Sequence, residues 1–137
     1  MESISYNDIE IAIESLKQMI EACDLLIEWN KDVANPDEFA VSPSGLQKLA
    51  ANSMLIEAIG EGVKSIDKRL PGFLEKEKPE APWRQIKGMR DRIAHGYFNI
   101  DATYVYSIVK DHINPLKEML MDIKESLLDM AADYYPQ

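Results

Sequence analysis

The sequence predicts an all-α fold, an up-and-down bundle of four to five helices. Apolar residues recur at spacings of three and four over long segments, glycine is scarce, and the seven prolines lie mainly between those segments. The 137 residues match the size of one domain, and 46% hydrophobic residues can form a core without disulfides or structural metal. We therefore expect residues 1–137 to form a single domain, with a tail that frays from about residue 131.

Two long helices are predicted in the first half of the chain. Ser5 can cap the first, which ends near residues 29–31, and after a loop Ser42-Pro43 supplies the cap and first turn of the second. The second helix ends at Pro71-Gly72. It contains Gly60-Glu61-Gly62, and each glycine costs about 1 kcal/mol in a helix relative to alanine. We therefore expect another backbone to pass close to these glycines.

The second half of the chain predicts a polar connector followed by shorter helices. Residues 73–81 carry a run of charges and read as a solvated connector. Pro82 can start a third helix, which we expect to end at about His95 because a glycine typical of a left-handed cap follows it. Asp101 can cap a fourth helix, and Asn114-Pro115 must kink that helix or open a fifth.

Composition limits the classes of protein to which the chain can belong. The net charge of -9 argues against a protein that coats nucleic acid non-specifically, because lysine and arginine drive phosphate binding. Cys23 is the single cysteine, so one chain forms no internal disulfide and no cysteine-based zinc site, and we expect no metal and no cofactor. The start lacks the pattern of a signal peptide, and no apolar run approaches the roughly 18 residues of a membrane span. The expectation is a soluble cytoplasmic protein without membrane contact.

One stretch of this acidic chain is basic. Between residues 84 and 92 there are four cations, namely Arg84, Lys87, Arg90 and Arg92, and one acid, Asp91. Arginine can hold a phosphate through two parallel hydrogen bonds, and histidine can take and give a proton near neutral pH. Arg90 and the nearby His95 therefore suit RNA cleavage without a metal, His95 as base or acid and Arg90 as the stabiliser of the charged phosphorane. One histidine cannot easily be base and acid at once, which favours the pairing of two chains.

Structural roles for the same residues remain open at this point. Arg90 and His95 can be merely exposed, Tyr97 can be a half-buried aromatic, and Asp91 with Arg92 can form an ion-paired or solvated couple. His112 has apolar neighbours and reads as a packing or surface histidine.

Taken together, the residues Arg90-Asp91-Arg92-Ile93-Ala94-His95-Gly96-Tyr97 resemble the core motif of the HEPN superfamily, and within it the HepT-like toxins of toxin-antitoxin pairs. The resemblance covers roughly residues 46–120. It includes Pro82-Trp83 at the start of the third helix, Ile59-Gly60-Glu61-Gly62 upstream and Asn114-Pro115 downstream. It implies a helical-bundle homodimer that cuts RNA without a metal and leaves a 2′,3′-cyclic phosphate. Two motifs would meet in a cleft at the dimer interface.

The resemblance also implies roles and a partner. Arg90 and His95 would be catalytic, while Asp91, Arg92, Arg84 and Lys87 would support RNA binding. A nucleotidyltransferase of the MntA type would silence the toxin by transferring AMP to Tyr97. Asp91 stands where the family often has asparagine, and its carboxylate repels a phosphate unless Arg92 or Arg84 pairs with it.

Two other functions fit the same residues. The chain can be a non-catalytic helical dimer that binds a nucleotide or the nucleotidyltransferase, which the net charge of -9 favours. Alternatively, the nucleotidyltransferase is the toxin and this chain its antitoxin.

Overall fold

Three long helices carry most of the core of this all-α protein. The computed structural model describes residues 4–93 and 99–134. Its helices are, in chain order, α1 (Tyr6–Trp29), α2 (Pro43–Arg69), α3 (Phe73–Glu77), α4 (Trp83–Lys87), α5 (Met89–Ile93), α6 (Ala102–Ser107) and α7 (Ile113–Tyr134). A 3₁₀ turn (Pro36–Phe39) precedes α2, and a π-helical turn (Ile108–His112) joins α6 to α7. The predicted helical bundle is confirmed, with more and shorter segments in its second half than the four to five helices expected.

The central helix is α1, which packs against both α2 and α7. Ser5 caps it as predicted: its hydroxyl accepts the backbone N–H of Asp8 at 3.0 Å. Its buried residues recur at spacings of three and four, so one stripe of the helix faces the core. Cys23 belongs to that stripe and is fully buried, and burial raises the pKa of its thiol to about 12. The thiol therefore stays protonated at neutral pH.

The predicted start and end of α2 are also confirmed. Ser42 accepts the backbone N–H of Gly45 at 3.0 Å, and after Leu70 the chain turns at Gly72, whose φ of 79° is in the left-handed region. The expected close backbone approach is found at Gly60, where an added Cβ would lie 3.1 Å from the carbonyl oxygen of Ile86. At Gly62 the neighbour is instead the side chain of Met19.

Two predictions for residues 73–95 are wrong in part. Residues 73–81 are more than a solvated connector, because Phe73 and Leu74 are buried in α3 and two charged residues of the run, Glu77 and Lys78, bond to α7. Lys78 lies 2.8 Å from Asp122, for example. The single third helix is broken at Gly88, whose N–H is shared between two carbonyls of α4. Glycine favours such a break because it stabilises a helix less than other residues do. The predicted end at His95 lies outside the described residues.

Asp101 caps α6 as predicted, accepting the N–H of Tyr104 at 2.9 Å.

The connection into α7 depends on Pro115. Proline has no N–H to donate to the carbonyl four residues earlier, and its ring crowds that carbonyl. The chain widens into the π turn immediately before this point, and α7 opens at Ile113, close to where a fifth helix was expected. At its other end α7 continues through Tyr134. The fraying expected from about residue 131 stays a prediction.

A pair of buried asparagines joins the end of α1 to α2. The amide of Asn30 donates to Asn52 at 2.9 Å, and the amide of Asn52 donates back at 2.8 Å. Lys110, in the π turn, donates to the backbone carbonyl of Asn30 at 2.7 Å. These bonds satisfy polar groups that would otherwise be buried without partners.

We predict that Asn52→Ala destabilises the protein by about 1–3 kcal/mol, because it leaves the buried side-chain oxygen of Asn30 without its donor, while the Asn30 amide nitrogen still donates to the carbonyl of Leu26. Urea unfolding followed by circular dichroism measures the change. The control is Asn114→Ala, which truncates an exposed asparagine. A loss no larger than that of the control would contradict the role of the pair.

We further predict that Cys23 does not react with a thiol-reactive disulfide at about pH 8, because the buried thiol is neither ionised nor accessible. After unfolding in guanidinium chloride the same protein should release one equivalent of reporter per chain. Fast reaction of the folded protein would show that α1 opens at this position.

Candidate functional site

Helix α5 presents Arg90 to solvent. Met89 and Ile93, four residues apart, are buried on one face of α5, while Arg90, Asp91 and Arg92 are exposed. Helix α5 packs against α2 and α6, so its buried face fixes the direction in which the exposed residues project. Within residues 4–93 and 99–134, no carboxylate forms an ion pair with Arg90 and no hydrogen bond involves its side chain. Its guanidinium can therefore bind an anion.

The other three cations of the basic stretch have different surroundings. Lys87 forms an ion pair with Asp67 of α2 at 3.2 Å, which reduces its pull on a second anion. Arg92 lies over the ring of Tyr104, with its Cζ 4.5 Å from the ring centroid. Arg84 is exposed on α4 and, like Arg90, has no ion-pair partner in the described part of the chain.

Asp91 is exposed, and neither Arg92 nor Arg84 pairs with it. The alternative of an Asp91–Arg92 ion pair is therefore not found. Neither arginine neutralises the carboxylate, which therefore repels a nearby phosphate. Successive residues of a helix differ in direction by about 100°, so a phosphate can contact Arg90 from the side of α5 that faces away from Asp91.

His95 and Tyr97, the predicted catalytic and modified residues, lie outside the described residues. The chain on either side of residues 94–98 is described, and a backbone hydrogen bond joins the part before this segment to the part after it. The backbone N–H of Asp101 donates to the carbonyl of Ile93 at 2.8 Å, and the Asp101 side chain caps α6. The end of α5 and the start of α6 therefore share one anchor, three residues along the chain from Arg90.

A groove of about 310 Å³ lies between the α4–α5 segment and the segment from α6 to α7. Its apolar lining includes Ile86, Met89, Ile108, Leu116 and Met119. Four side chains with polar groups also line it, namely Gln85, Arg92, Tyr104 and His112. Sequence reasoning missed this groove because its walls come from separate elements. It read His112 as a packing or surface histidine, and the structure shows it exposed at the groove, in the π turn.

The described residues hold neither a cluster of metal ligands nor a membrane-spanning helix. They contain no group of three or more histidine, cysteine, aspartate or glutamate side chains that could hold a metal ion. None of the helices in 4–93 and 99–134 combines the length and the apolar character needed to cross a membrane.

Comparison with known proteins identifies the family. The family model described as "Ribonuclease HepT-like" matches residues 9–123. A protein named "Probable ribonuclease HepT" from Thermococcus cleftensis is 30% identical over 102 residues, which cover 74% of this chain and 86% of the relative. A "Putative RNase" from Caldanaerobacter subterraneus is 32% identical over 108 residues, 79% of this chain and 89% of the relative.

A longer relative shares the same region. In a "Gamma-glutamylcyclotransferase and putative RNase" from Methanocaldococcus jannaschii, 114 residues are 30% identical, covering 82% of this chain and 47% of the relative. No solved structure matches. The basic stretch with Arg90 lies inside the region matched by the family model, and this chain belongs to the HepT-like ribonuclease family of the HEPN superfamily.

Proposed function

We propose that this protein is a metal-independent endoribonuclease in which Arg90 and His95 carry out the reaction. The observation that supports the proposal most is the state of Arg90. It is an exposed arginine without an ion-pair partner among the described residues, held on a short helix whose other face is buried. It lies in the segment that the ribonuclease family model matches.

The chemistry requires a base, an acid and a cation. The 2′-hydroxyl of the RNA attacks the adjacent phosphorus while the His95 imidazole takes its proton. The bond from phosphorus to the 5′-oxygen then breaks, and a second imidazole, protonated, gives a proton to that oxygen. The products are a 2′,3′-cyclic phosphate and a 5′-hydroxyl. Arg90 binds the non-bridging oxygens through its planar fork and stabilises the charge that develops on them.

The second imidazole comes from a second copy of the chain. A single histidine cannot act as base and acid in the same step, so two His95 side chains facing one cleft complete the site. We therefore propose that the active form is a homodimer.

The remaining cations guide the RNA and do not react with it. Arg84 is exposed without an ion-pair partner in the described part of the chain, so it contributes more attraction than Lys87, which Asp67 partly neutralises. Arg92 adds positive charge on the opposite flank of α5 from Arg90. Asp91, negative and exposed, limits the phosphate to the Arg90 side.

We propose that this ribonuclease acts in the cytoplasm as the toxin of a toxin-antitoxin pair, with an MntA-like nucleotidyltransferase as its partner. Transfer of AMP to Tyr97 places a phosphate two residues from His95. The added negative charge and bulk exclude RNA from the cleft.

A second candidate is a non-catalytic dimer that binds a nucleotide or the nucleotidyltransferase, with Arg90 as the phosphate contact. The net charge of -9 favours it, since an acidic chain repels long RNA. The cleavage tests below distinguish the two candidates, because a non-catalytic module does not cleave RNA even as the wild type, whereas an enzyme loses its activity in the variants.

We predict that Arg90→Ala lowers the rate of RNA cleavage by about 10²–10³-fold, because it removes the charge stabiliser, while chelation of metal ions leaves the rate unchanged. Arg90→Lys should restore only part of the activity, because an ammonium lacks the planar fork. The matched control is Arg69→Ala, an arginine paired with Asp8 away from α5.

His95→Ala should lower the cleavage rate by about 10²–10⁴-fold and relieve growth inhibition in cells. If the wild type, Arg90→Ala and His95→Ala cleave RNA at equal rates, a contaminating nuclease is the source of the cleavage. Growth inhibition by the nucleotidyltransferase alone would assign the toxin role to the partner.

We predict that co-expression with an MntA-like nucleotidyltransferase adds one or more AMP groups at Tyr97 and suppresses cleavage. Intact-mass and peptide mass spectrometry locate the adduct. Tyr97→Phe, which lacks the acceptor hydroxyl, should stay unmodified and toxic. An adduct of the same mass on the Tyr97→Phe protein would contradict the assignment.

A further inference from the structure

We propose that the groove between α4–α5 and α6–α7 binds an unpaired base of the RNA strand that Arg90 holds. This inference rests on the proposed function, because it supplies a base-binding subsite for the same substrate. The groove has a volume of about 310 Å³, at the lower end of the range of ligand pockets, roughly 300–1,000 Å³. That size suits a single flat ring system.

One wall of the groove is a stack of a guanidinium on an aromatic ring. Arg92 lies over Tyr104 at 4.5 Å, and both residues line the groove. Tyr104 is held in place because Asp101 accepts its backbone N–H and because its ring is half-buried. Proteins bind unpaired RNA bases by stacking them on aromatic rings and on arginine planes. The faces of Arg92 and Tyr104 that do not contact each other are therefore the surfaces available to a base.

Polar groups at the groove can read the edge of a base. Gln85 carries an amide with a donor and an acceptor, and His112 carries two ring nitrogens. Burial raises the pKa of the Tyr104 hydroxyl, so this group stays a neutral donor at physiological pH. The π turn places His112 at this position, and π turns are frequent at functional sites.

Charge favours RNA over an apolar segment of another protein as the occupant. Arg92, a cation, lines the groove, and Arg90 lies on the other flank of the same short helix. Residues two apart on a helix diverge by about 160°, so Arg90 and Arg92 lie on opposite flanks of α5. A helix with its side chains is about 10 Å wide, a distance that neighbouring nucleotides of one strand can span. A phosphate on Arg90 and a base in the groove can therefore belong to the same strand.

The test compares RNA oligonucleotides that differ by one missing base. Short single-stranded oligoribonucleotides, each abasic at a different position, are bound to the full-length protein carrying His95→Ala, so that the RNA is not consumed. We expect one position at which loss of the base weakens binding by about 10-fold, the range of a single stacking contact. In the added background of Tyr104→Leu this penalty should fall to less than about 2-fold, since the stacking surface is gone.

The matched control is Tyr106→Leu, which changes a half-buried tyrosine of the same helix that does not line the groove. It should keep the position-dependent penalty. If Tyr104→Leu unfolds the protein, Arg92→Gln removes the other half of the stack and should reduce the same penalty.

The outcomes separate this inference from the proposed function. Cleavage by the unmodified protein without a position-dependent penalty overturns the inference and leaves the enzyme intact. A penalty that depends on Tyr104, in a protein that does not cleave RNA, supports the inference and overturns the enzyme. If Tyr104→Leu changes the mass in solution and leaves the penalty unaltered, a second copy covers the groove and the inference fails. Absence of RNA binding overturns both.

Discussion

The close contact between α2 and α4 at Gly60 determines where the basic residues lie. A side chain at this position would meet the carbonyl of Ile86 at 3.1 Å, so only glycine lets α4 approach without displacing it. The ion pair between Lys87 and Asp67 joins the same two helices. Because α4 lies this close, Met89 and Ile93 of α5 reach the core, and Arg90 is left on the exposed side. The exposure of Arg90 is therefore a consequence of backbone packing on another helix.

The break at Gly88 and the hydrogen bond between Ile93 and Asp101 fix the position of α5 and of the chain after it. In a continuous helix from Pro82, the directions of the exposed α5 residues would be set by the helical rotation that begins in α4. The break at Gly88 separates α5 from α4, and Ile93 of α5 accepts a hydrogen bond from Asp101 where the chain returns. Arg90 and the two ends of residues 94–98 are thus held together by the backbone, before any contact with RNA.

The sequence predicts the local features of the fold well, because they depend on neighbouring residues. The caps at Ser5, Ser42 and Asp101 and the two long helices of the first half follow from capping chemistry and periodicity. The buried start of α3 and the Asn30–Asn52 pair do not, because they depend on contacts between residues far apart in the chain. For the site, residue chemistry and the family motif select Arg90, His95 and Tyr97. Arg90 is exposed, and its catalytic role stays a prediction; His95 and Tyr97 lie outside the described residues.

An acidic protein with an RNA substrate has to rely on short-range contacts. Salt dependence grows with the number of phosphates that cations neutralise, and here Lys87 is paired and Arg92 is stacked on Tyr104. Of the four cations in the basic stretch, Arg90 and Arg84 remain exposed without ion-pair partners in the described part of the chain. Two such contacts give little affinity against a net charge of -9, so further binding energy must come from groups that do not depend on charge. The apolar groove with its aromatic wall is a feature of the described surface that can supply it. If the groove binds a base as proposed, the substrate is limited to RNA whose bases are unpaired.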